Sequence, residues 1–251
     1  MKIATWNVNS IRARIDHLLI WLKESKIDIV AIQETKVIND LFPKNELESI
    51  GYKSVFAGQK SYNGVAILSL YNMHETSIWH AKEDINIRAI ATVINNIRVI
   101  NVYVPNGQSL GSEKFAYKLN WLNDFIAWVK EQQALYEKII ILGDFNIAPN
   151  DLDVYDVAIW QNSILTSQEE RGLLQKLLDL GFTDSFRQLN PTEPGFSWWD
   201  YRAGSFRRGN GLRIDLILSS NNIILNNCLV DIEPRGWSKP SDHTPVVLSF
   251  E

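Results

Sequence analysis

The sequence predicts an α/β fold in which two mixed β-sheets pack on each other and are flanked by helices. Three observations predict it. Strand-like runs clearly outnumber helical ones. Several neighbouring runs are separated by turn signals that suit hairpins. The helical runs are long and amphipathic, which suits helices that cover sheets; a doubly wound parallel sheet would instead alternate strand and helix throughout.

Taken in order, residues 2–7 form the first strand. Ile15, Leu18, Leu19 and Leu22 repeat at i, i+3, i+4, i+7 and predict a helix over 12–25. The run 28–33 is apolar almost throughout, which predicts a strand buried on both faces. Residues 52–58 and 63–70 read as a strand pair around a turn near Ser61–Gly64. Strands follow at 75–80, 88–95 and 97–104, with Asn95-Asn96 as a tight turn. Phe115, Leu119, Leu122, Ile126 and Val129 mark a second amphipathic helix, with Ser112 at its N-cap. Residues 138–143 form a strand. Ser167 and Glu170 form a capping box that opens a helix to about Leu180. Short strands are expected at 182–187 and 195–199, and longer ones at 212–219, 223–232 and 244–250.

The 251 residues, 45% of them hydrophobic, suit one large domain or two small ones. No Pro/Gly/Ser-rich linker, low-complexity tract or repeat divides them, so residues 1–251 are expected to form one domain. Nine Trp and ten Phe imply a large core. The net charge of −4 gives no global field for a polyanion, so nucleic acid would need a local basic patch. The single Cys228 excludes an internal disulfide and fits a reducing cytoplasm. No signal-peptide pattern is present, and no run nears the ~20 apolar residues that span a bilayer. Nothing points beyond a monomer.

Chemistry concentrates at the strand ends. Ile3–Trp6 runs into Asn7 and Asn9, and Ile27–Ile32 into Gln33 and Glu34. Ile97–Val104 carries Tyr103 and is followed by Asn106. Ile139–Leu142 runs into Gly143-Asp144-Phe145-Asn146. Leu212–Leu218 holds Asp215, and Ser241-Asp242-His243 precedes the last strand. Acids and amides are costly to bury alone, so their recurrence predicts convergence on one site at a sheet edge. Carboxylates, amides and one His together suit a hard divalent cation and a phosphate. Asp144 and Asn146, two apart, make a hydrolytic pair, or else a loop of Asx-turns. A carboxylate among apolar neighbours needs a partner, and for Asp215 that is His243, or Arg213, or a backbone amide. His17, His74 and His80 carry no assigned chemistry.

From Phe196 to Arg213, aromatics interleave with Arg202, Arg207 and Arg208, which forms the local basic patch that the net charge hides. Arg suits phosphate and aromatics suit bases, although part of this stretch also reads as core and solvated surface. Gly107-Gln108-Ser109-Leu110-Gly111 matches a serine-hydrolase elbow, but Pro105-Asn106 separate Ser109 from the strand end. With one Cys and no H-E-x-x-H, there is no zinc pattern.

Together, MKIATWNVNSIRAR at the start, QETKV from Gln33, YVPN from Tyr103, GDFN with Asp151-Leu152-Asp153, FSWWDY from Phe196, GLRID from Gly211 and SDHTP from Ser241 resemble one family. It is the exonuclease III family of class II abasic-site endonucleases, within the endonuclease/exonuclease/phosphatase superfamily, and the resemblance spans essentially the whole chain. It implies a four-layered α/β sandwich and a Mg²⁺-dependent phosphodiesterase, with Mn²⁺ as a substitute. Family members cut duplex DNA 5′ to abasic sites, and many also trim 3′ ends or remove 3′ blocking groups. The implied metal set is Glu34 and Asn9, supported by Asn7 and joined by Asp144, Asn146, His243 and Asp242, which holds the metal or orients His243. Asp215 pairs with His243, which contacts the scissile phosphate; Tyr103, Asn106 and Asn146 bond its oxygens. Asp144 activates water or, alternatively, protonates the leaving group. Trp198, Leu212 and Ile214 match the pocket for a flipped abasic sugar. Four positions depart from relatives: Asn9 stands for an Asp, Gln108 for a wedging Arg, Arg202 for a Met and Leu212 for a Trp. They bear on the balance of endonuclease, exonuclease and 3′-phosphatase activities. The rivals are a phospholipid or inositol-phosphate phosphodiesterase on the same fold, a serine hydrolase, and a non-catalytic DNA-binding relative.

Overall fold

The computed structural model describes all residues, 1–251. Its strands are β1 (Lys2–Asn7), β2 (Ile29–Gln33), β3 (Lys53–Ala57), β4 (Val65–Ser69), β5 (His74–Trp79), β6 (Ala89–Ile94), β7 (Ile97–Tyr103), β8 (Ile139–Asp144), β9 (Phe182–Asp184), β10 (Asp215–Ser220), β11 (Leu225–Val230) and β12 (Val246–Phe250). The helices are α1 (Ile11–Ser25), α2 (Lys44–Glu48), α3 (Glu113–Leu135), α4 (Val157–Trp160), α5 (Gln168–Leu178), α6 (Ser185–Leu189) and α7 (Ser205–Arg208).

Two six-stranded sheets result, with orders β11-β12-β1-β2-β4-β3 and β5-β6-β7-β8-β10-β9. Each has one parallel pair near its centre, β1 with β2 and β7 with β8, and all other pairs are antiparallel. The facing sides of the sheets make one core, with Ile3, Ile29, Ile67, Ile140, Leu142, Ile217 and Leu248. The outer side of the first sheet packs with Trp21 and Leu22 of α1 and Leu47 of α2. That of the second packs with Trp121 and Phe125 of α3 and Leu173 and Leu177 of α5. The order is therefore helices, sheet, sheet, helices: four layers. Side chains alternate across a strand. Ile139 and Ile141 face the helices while Ile140 and Leu142 face the other sheet, which is why the central runs are apolar at every position.

The connectivity sets where the chemistry lies. The parallel strands β1, β2, β7 and β8 end at Asn7, Gln33, Tyr103 and Asp144. The antiparallel neighbours β10 and β12 begin beside those ends, with Asp215 in register with Asp144 and Val246 with Thr5. Strand ends and strand starts thus share one edge of the sandwich.

Three expected elements differ. Residues 182–187 split into β9 and α6, because the Asp184 carboxylate caps α6 by accepting from Arg187 N at 3.2 Å. No strand forms over 195–199. Trp198 alone bridges to Leu212 and His243, and Gly195 turns with φ +61 under the Phe186 ring, where a Cβ would lie 2.1 Å from that ring. Regular pairing of 212–219 starts only at Asp215, because Leu212 bridges to Val154 and Trp198 instead. The remaining boundaries fall close to those expected. No helix is long and apolar enough to cross a membrane.

Cys228 is buried in the inter-sheet core, which pushes its thiol up to about 12. At pH 8 roughly one molecule in ten thousand then carries the thiolate. A disulfide reagent should leave the native protein unmodified and titrate one thiol after unfolding in urea; rapid native labelling would contradict this core packing.

Candidate active site

Burial of acids at the shared edge is offset by a connected set of donors. Asn7, at the end of β1, donates from Nδ2 to Glu34 Oε1 and to Asp144 Oδ2, both at 2.9 Å. Its Oδ1 accepts Asn9 N at 2.9 Å, which folds the chain back. Asn9 Nδ2 donates to Asp242 Oδ1 at 2.9 Å, and Trp198 Nε1 donates to Asp242 Oδ2 at 3.1 Å. Lys36 pairs with Glu34 at 2.8 Å and also donates to Asn9 Oδ1. Asn9, Glu34 and Asn146 all have left-handed backbones, φ +45, +52 and +49. For a Glu this conformation is uncommon and marks a constrained site.

Gly143 is dictated by close approach, since a Cβ there would lie 1.8 Å from the Val102 carbonyl of the parallel neighbour β7. The chain then turns, and Asp144 Oδ1 accepts Asn146 N at 2.9 Å. Asn146 donates to Val104 O at 3.0 Å and accepts from Asn106 Nδ2 at 3.1 Å. On the other side, His243 Nδ1 faces Asp215 Oδ2 at 2.9 Å, and its Nε2 lies 3.7 Å from Asp144 Oδ2. Ser197 Oγ also donates to Asp215 Oδ2, at 2.7 Å. Arg213, the alternative partner for Asp215, is instead buried against Asp153 and Asp184 at 2.7 and 2.8 Å.

These contacts set the charges. Burial pushes Asp144 up to about 7, opposed by His243 and the Asn7 amide. Burial would lower His243, but Asp215 and Asp144 raise it to about 10, so the imidazolium persists at neutral pH. Burial would raise Asp242, yet His243, Trp198 and Asn9 hold it below the usual carboxylate range. Burial, Glu34 and Asp144 keep Tyr103 well above its ordinary value, so its hydroxyl stays a donor.

A cavity of about 420 Å³ opens over this set. Glu34, Tyr103, Asn106, Asp144, Asn146, Asp242 and His243 line its polar side, and Trp198 and Ile214 its apolar side. Arg202 reaches its rim but is clamped on Asp200 at 2.9 Å. Leu212 is fully buried behind Trp198. Gln108 lines a neighbouring cavity, and Arg207 and Arg208 are exposed outside both. Ser109 lies on an exposed loop outside the catalytic cavity, so the elbow motif has no triad.

Carboxylate oxygens of Glu34 and Asp144 lie within 4.8 Å of each other and of a His243 ring nitrogen, but His243 as the imidazolium has no lone pair for an ion, so the ligands expected of this group reduce to the carboxylates. A side-chain oxygen of Asp215 is buried with no partner. Two carboxylates beside an open cavity, with no thiolate, suit a hard oxygen-seeking cation. The arrangement can hold such an ion, bind a phosphate by Tyr103, Asn106 and His243, and take a proton at Asp144.

Some site residues were not singled out from the sequence. Trp160, at the end of α4, and Ile164 and Leu165, in the loop that follows, line the cavity. Lys118 is wholly buried and donates to Glu170, to Asn146 O at 2.6 Å and to Asn106 O at 3.2 Å. The signal was a lysine three residues after Phe115 on the buried stripe of α3, and Ser167 hid Glu170 as a simple cap. This pair ties the loops that carry Asn106 and Asn146 to α5. Lys118→Met should cost about 3–5 kcal/mol in urea unfolding by leaving Glu170 unpaired. Lys118→Met with Glu170→Gln should recover most of that while catalysis stays impaired; recovery of both would make the pair purely structural.

Residues 4–243 match the endonuclease/exonuclease/phosphatase family. The chain is 34% identical to exodeoxyribonuclease III of Haemophilus influenzae, covering 100% of both chains. Among solved structures, a 3′ phosphatase from Neisseria bound to a product DNA hairpin superposes with a TM-score of 0.98 at 42% identity, over 100% of this chain and 99% of that one. An AP endonuclease from Archaeoglobus fulgidus gives 0.96 at 40% identity, with the same coverage.

Proposed function

This chain belongs to the endonuclease/exonuclease/phosphatase family, and on that premise we propose a divalent-metal-dependent phosphodiesterase of DNA repair. It cuts duplex DNA 5′ to abasic sites and cleans or trims 3′ ends. The observation that carries this reading is His243, braced by Asp215 at Nδ1 and facing Asp144 and Glu34 on the wall of one cavity. Similarity to an exodeoxyribonuclease, a 3′ phosphatase and an AP endonuclease supports the substrate class.

Glu34, with Asn9 and Asp242 beside it, would hold Mg²⁺, or Mn²⁺ in its place, and the ion would supply positive charge against the leaving oxygen. Tyr103 and Asn106 donate to the phosphate oxygens. His243, held cationic, contributes charge at Nε2 while Asp215 fixes the ring through Nδ1. Asp144, near 7, is matched to accept a proton from water at neutral pH. The water oxygen bonds to phosphorus, its proton passes to Asp144, and the bond to the 3′ oxygen breaks in the same step. Products are a 3′ hydroxyl, protonated from solvent, and a 5′ phosphate. Trp198 and Ile214 give the abasic or terminal sugar an apolar wall. The reading takes the protein as a monomer, and the lone Cys228 fits the cytoplasm.

Labelled duplexes with an abasic analogue or a recessed 3′ end should be incised or trimmed with Mg²⁺ and left intact with a chelator. Inertness toward both would overturn the reading. Asp144→Asn should lower kcat by about 10²–10⁴-fold with its thermal transition unchanged; a near-normal rate would remove Asp144 from proton transfer.

A further inference from the structure

The proposed chemistry gives Lys36 no task, although its ammonium sits on the atoms that would ligate the ion. The turn that carries it is pinned on both sides. Ser10 N and Ile11 N donate to Glu34 O and Thr35 O at 2.8 and 3.1 Å, and Thr35 N and Lys36 N donate to Gly64 O and Asn63 O at 3.1 and 3.0 Å. Glu34 and Lys36 both have left-handed backbones, φ +52 and +54. A Cβ on Gly64 would lie 2.2 Å from Thr35 Oγ1, so glycine is what lets the chain close on this turn. Two side chains of opposite charge, two positions apart, are thereby turned onto one spot. Lys36 Nζ lies 2.8 Å from Glu34 Oε2 and also donates to Asn9 Oδ1. Glu34 Oε1 is already taken by Asn7, and Asn9 Nδ2 by Asp242. Lys36 forms no other ion pair. Its side chain is only 27% exposed, so this is not a loose surface pair. An ammonium satisfies oxygen acceptors as a compact point charge, much as a hard ion does, but with one charge where the ion has two.

We propose that Lys36 is a built-in counter-cation: it holds Glu34 Oε2 and Asn9 Oδ1 in place when no ion is bound, and it competes with the divalent cation for those two oxygens. This rests on the metal-dependent reading of the site. Without the ammonium, Glu34 would face Asp144 with only the Asn7 amide between them. With it, the ligands stand preformed before any ion arrives, and the affinity for the ion is lowered by the positive charge already on them. Asn9 sharpens the effect, because an amide adds no negative charge to offset the ammonium. The enzyme therefore binds its divalent cation weakly and exchanges it readily, and occupancy follows the free ion concentration.

Mn²⁺ titrations of the metal-free protein, read by the electron paramagnetic resonance signal of the free ion, test the competition without turnover. Lys36→Met and Lys36→Gln remove the charge and keep most of the stem. Each should tighten Mn²⁺ about tenfold, whereas Lys36→Arg, which keeps the charge, should not tighten it. Glu34→Gln should abolish binding in native and neutral backgrounds alike. Thermal unfolding gives a second readout. Without metal, the neutral variants should melt below the native protein, because Glu34 has lost its partner. At one fixed Mn²⁺ concentration their Tm should rise by more than the native Tm does. In a Mn²⁺-bound crystal of the native protein, Lys36 Nζ should stand away from Glu34 Oε2. Equal or weaker Mn²⁺ binding in the neutral variants would overturn the proposal, as would a bound ion with Lys36 still on both oxygens. Native protein and neutral variants that bind no Mn²⁺ at this cavity would instead overturn the metal-dependent function on which it rests.

Discussion

One amide joins the two halves of this molecule at the place where they do chemistry. Asn7 belongs to the first sheet, and from a single nitrogen it donates to Glu34 of that sheet and to Asp144 of the other. Five carboxylates lie at or beneath the cavity: Glu34, Asp144, Asp215 and Asp242 around its centre, and Asp200, clamped by Arg202, at its rim. Ionised together without partners they would repel and could not remain buried. Asn7, Asn9, Trp198, Lys36 and the His243 imidazolium answer them one by one. The residual negative potential around Glu34 is what a divalent ion would satisfy, and Asp144 is raised chiefly by burial, with Asp215 and Glu34 adding to it.

Topology creates the crowding. A parallel pair in each sheet puts two strand ends on the same edge, and antiparallel neighbours bring their starts there. Groups more than two hundred residues apart thereby become neighbours without long loops. The loops that do lie at the site are held from below. Lys118 and Glu170 grip the backbones beside Asn106 and Asn146, and Arg213 with Asp153 and Asp184 anchors the segment entering Asp215. Buried ion pairs of this kind add little net stability but leave few alternative arrangements.

The layers and the site were legible to different degrees. Continuous apolar runs such as Ile139–Leu142, buried on both faces, made the central strands plain, and Leu18 and Leu22 made α1 plain, because burial dictates those side chains. The polar ends stood out for the same reason in reverse. Residues 182–199 were misread because the decisive contacts are local caps and one glycine turn, with too few apolar positions to show a period. Arg202 read as free positive charge, yet Asp200 two residues earlier holds it in a bidentate pair. Lys118 was hidden because a lysine on a helix ordinarily reads as solvated, and only the tertiary position of Glu170 reveals it as buried. Trp160 at the end of the short α4, and Ile164 and Leu165 in the loop after it, reach the cavity through the path of the chain, which no spacing encodes.

The central claim is that these strand ends form one pocket that takes a hard divalent ion. Anomalous diffraction from a crystal equilibrated with Mn²⁺ tests it directly. A strong peak should appear within bonding distance of the Glu34 carboxylate, on the side facing Asp144 and His243, and vanish in Glu34→Gln. A crystal with no peak there, or with manganese bound only elsewhere on the surface, would contradict the account.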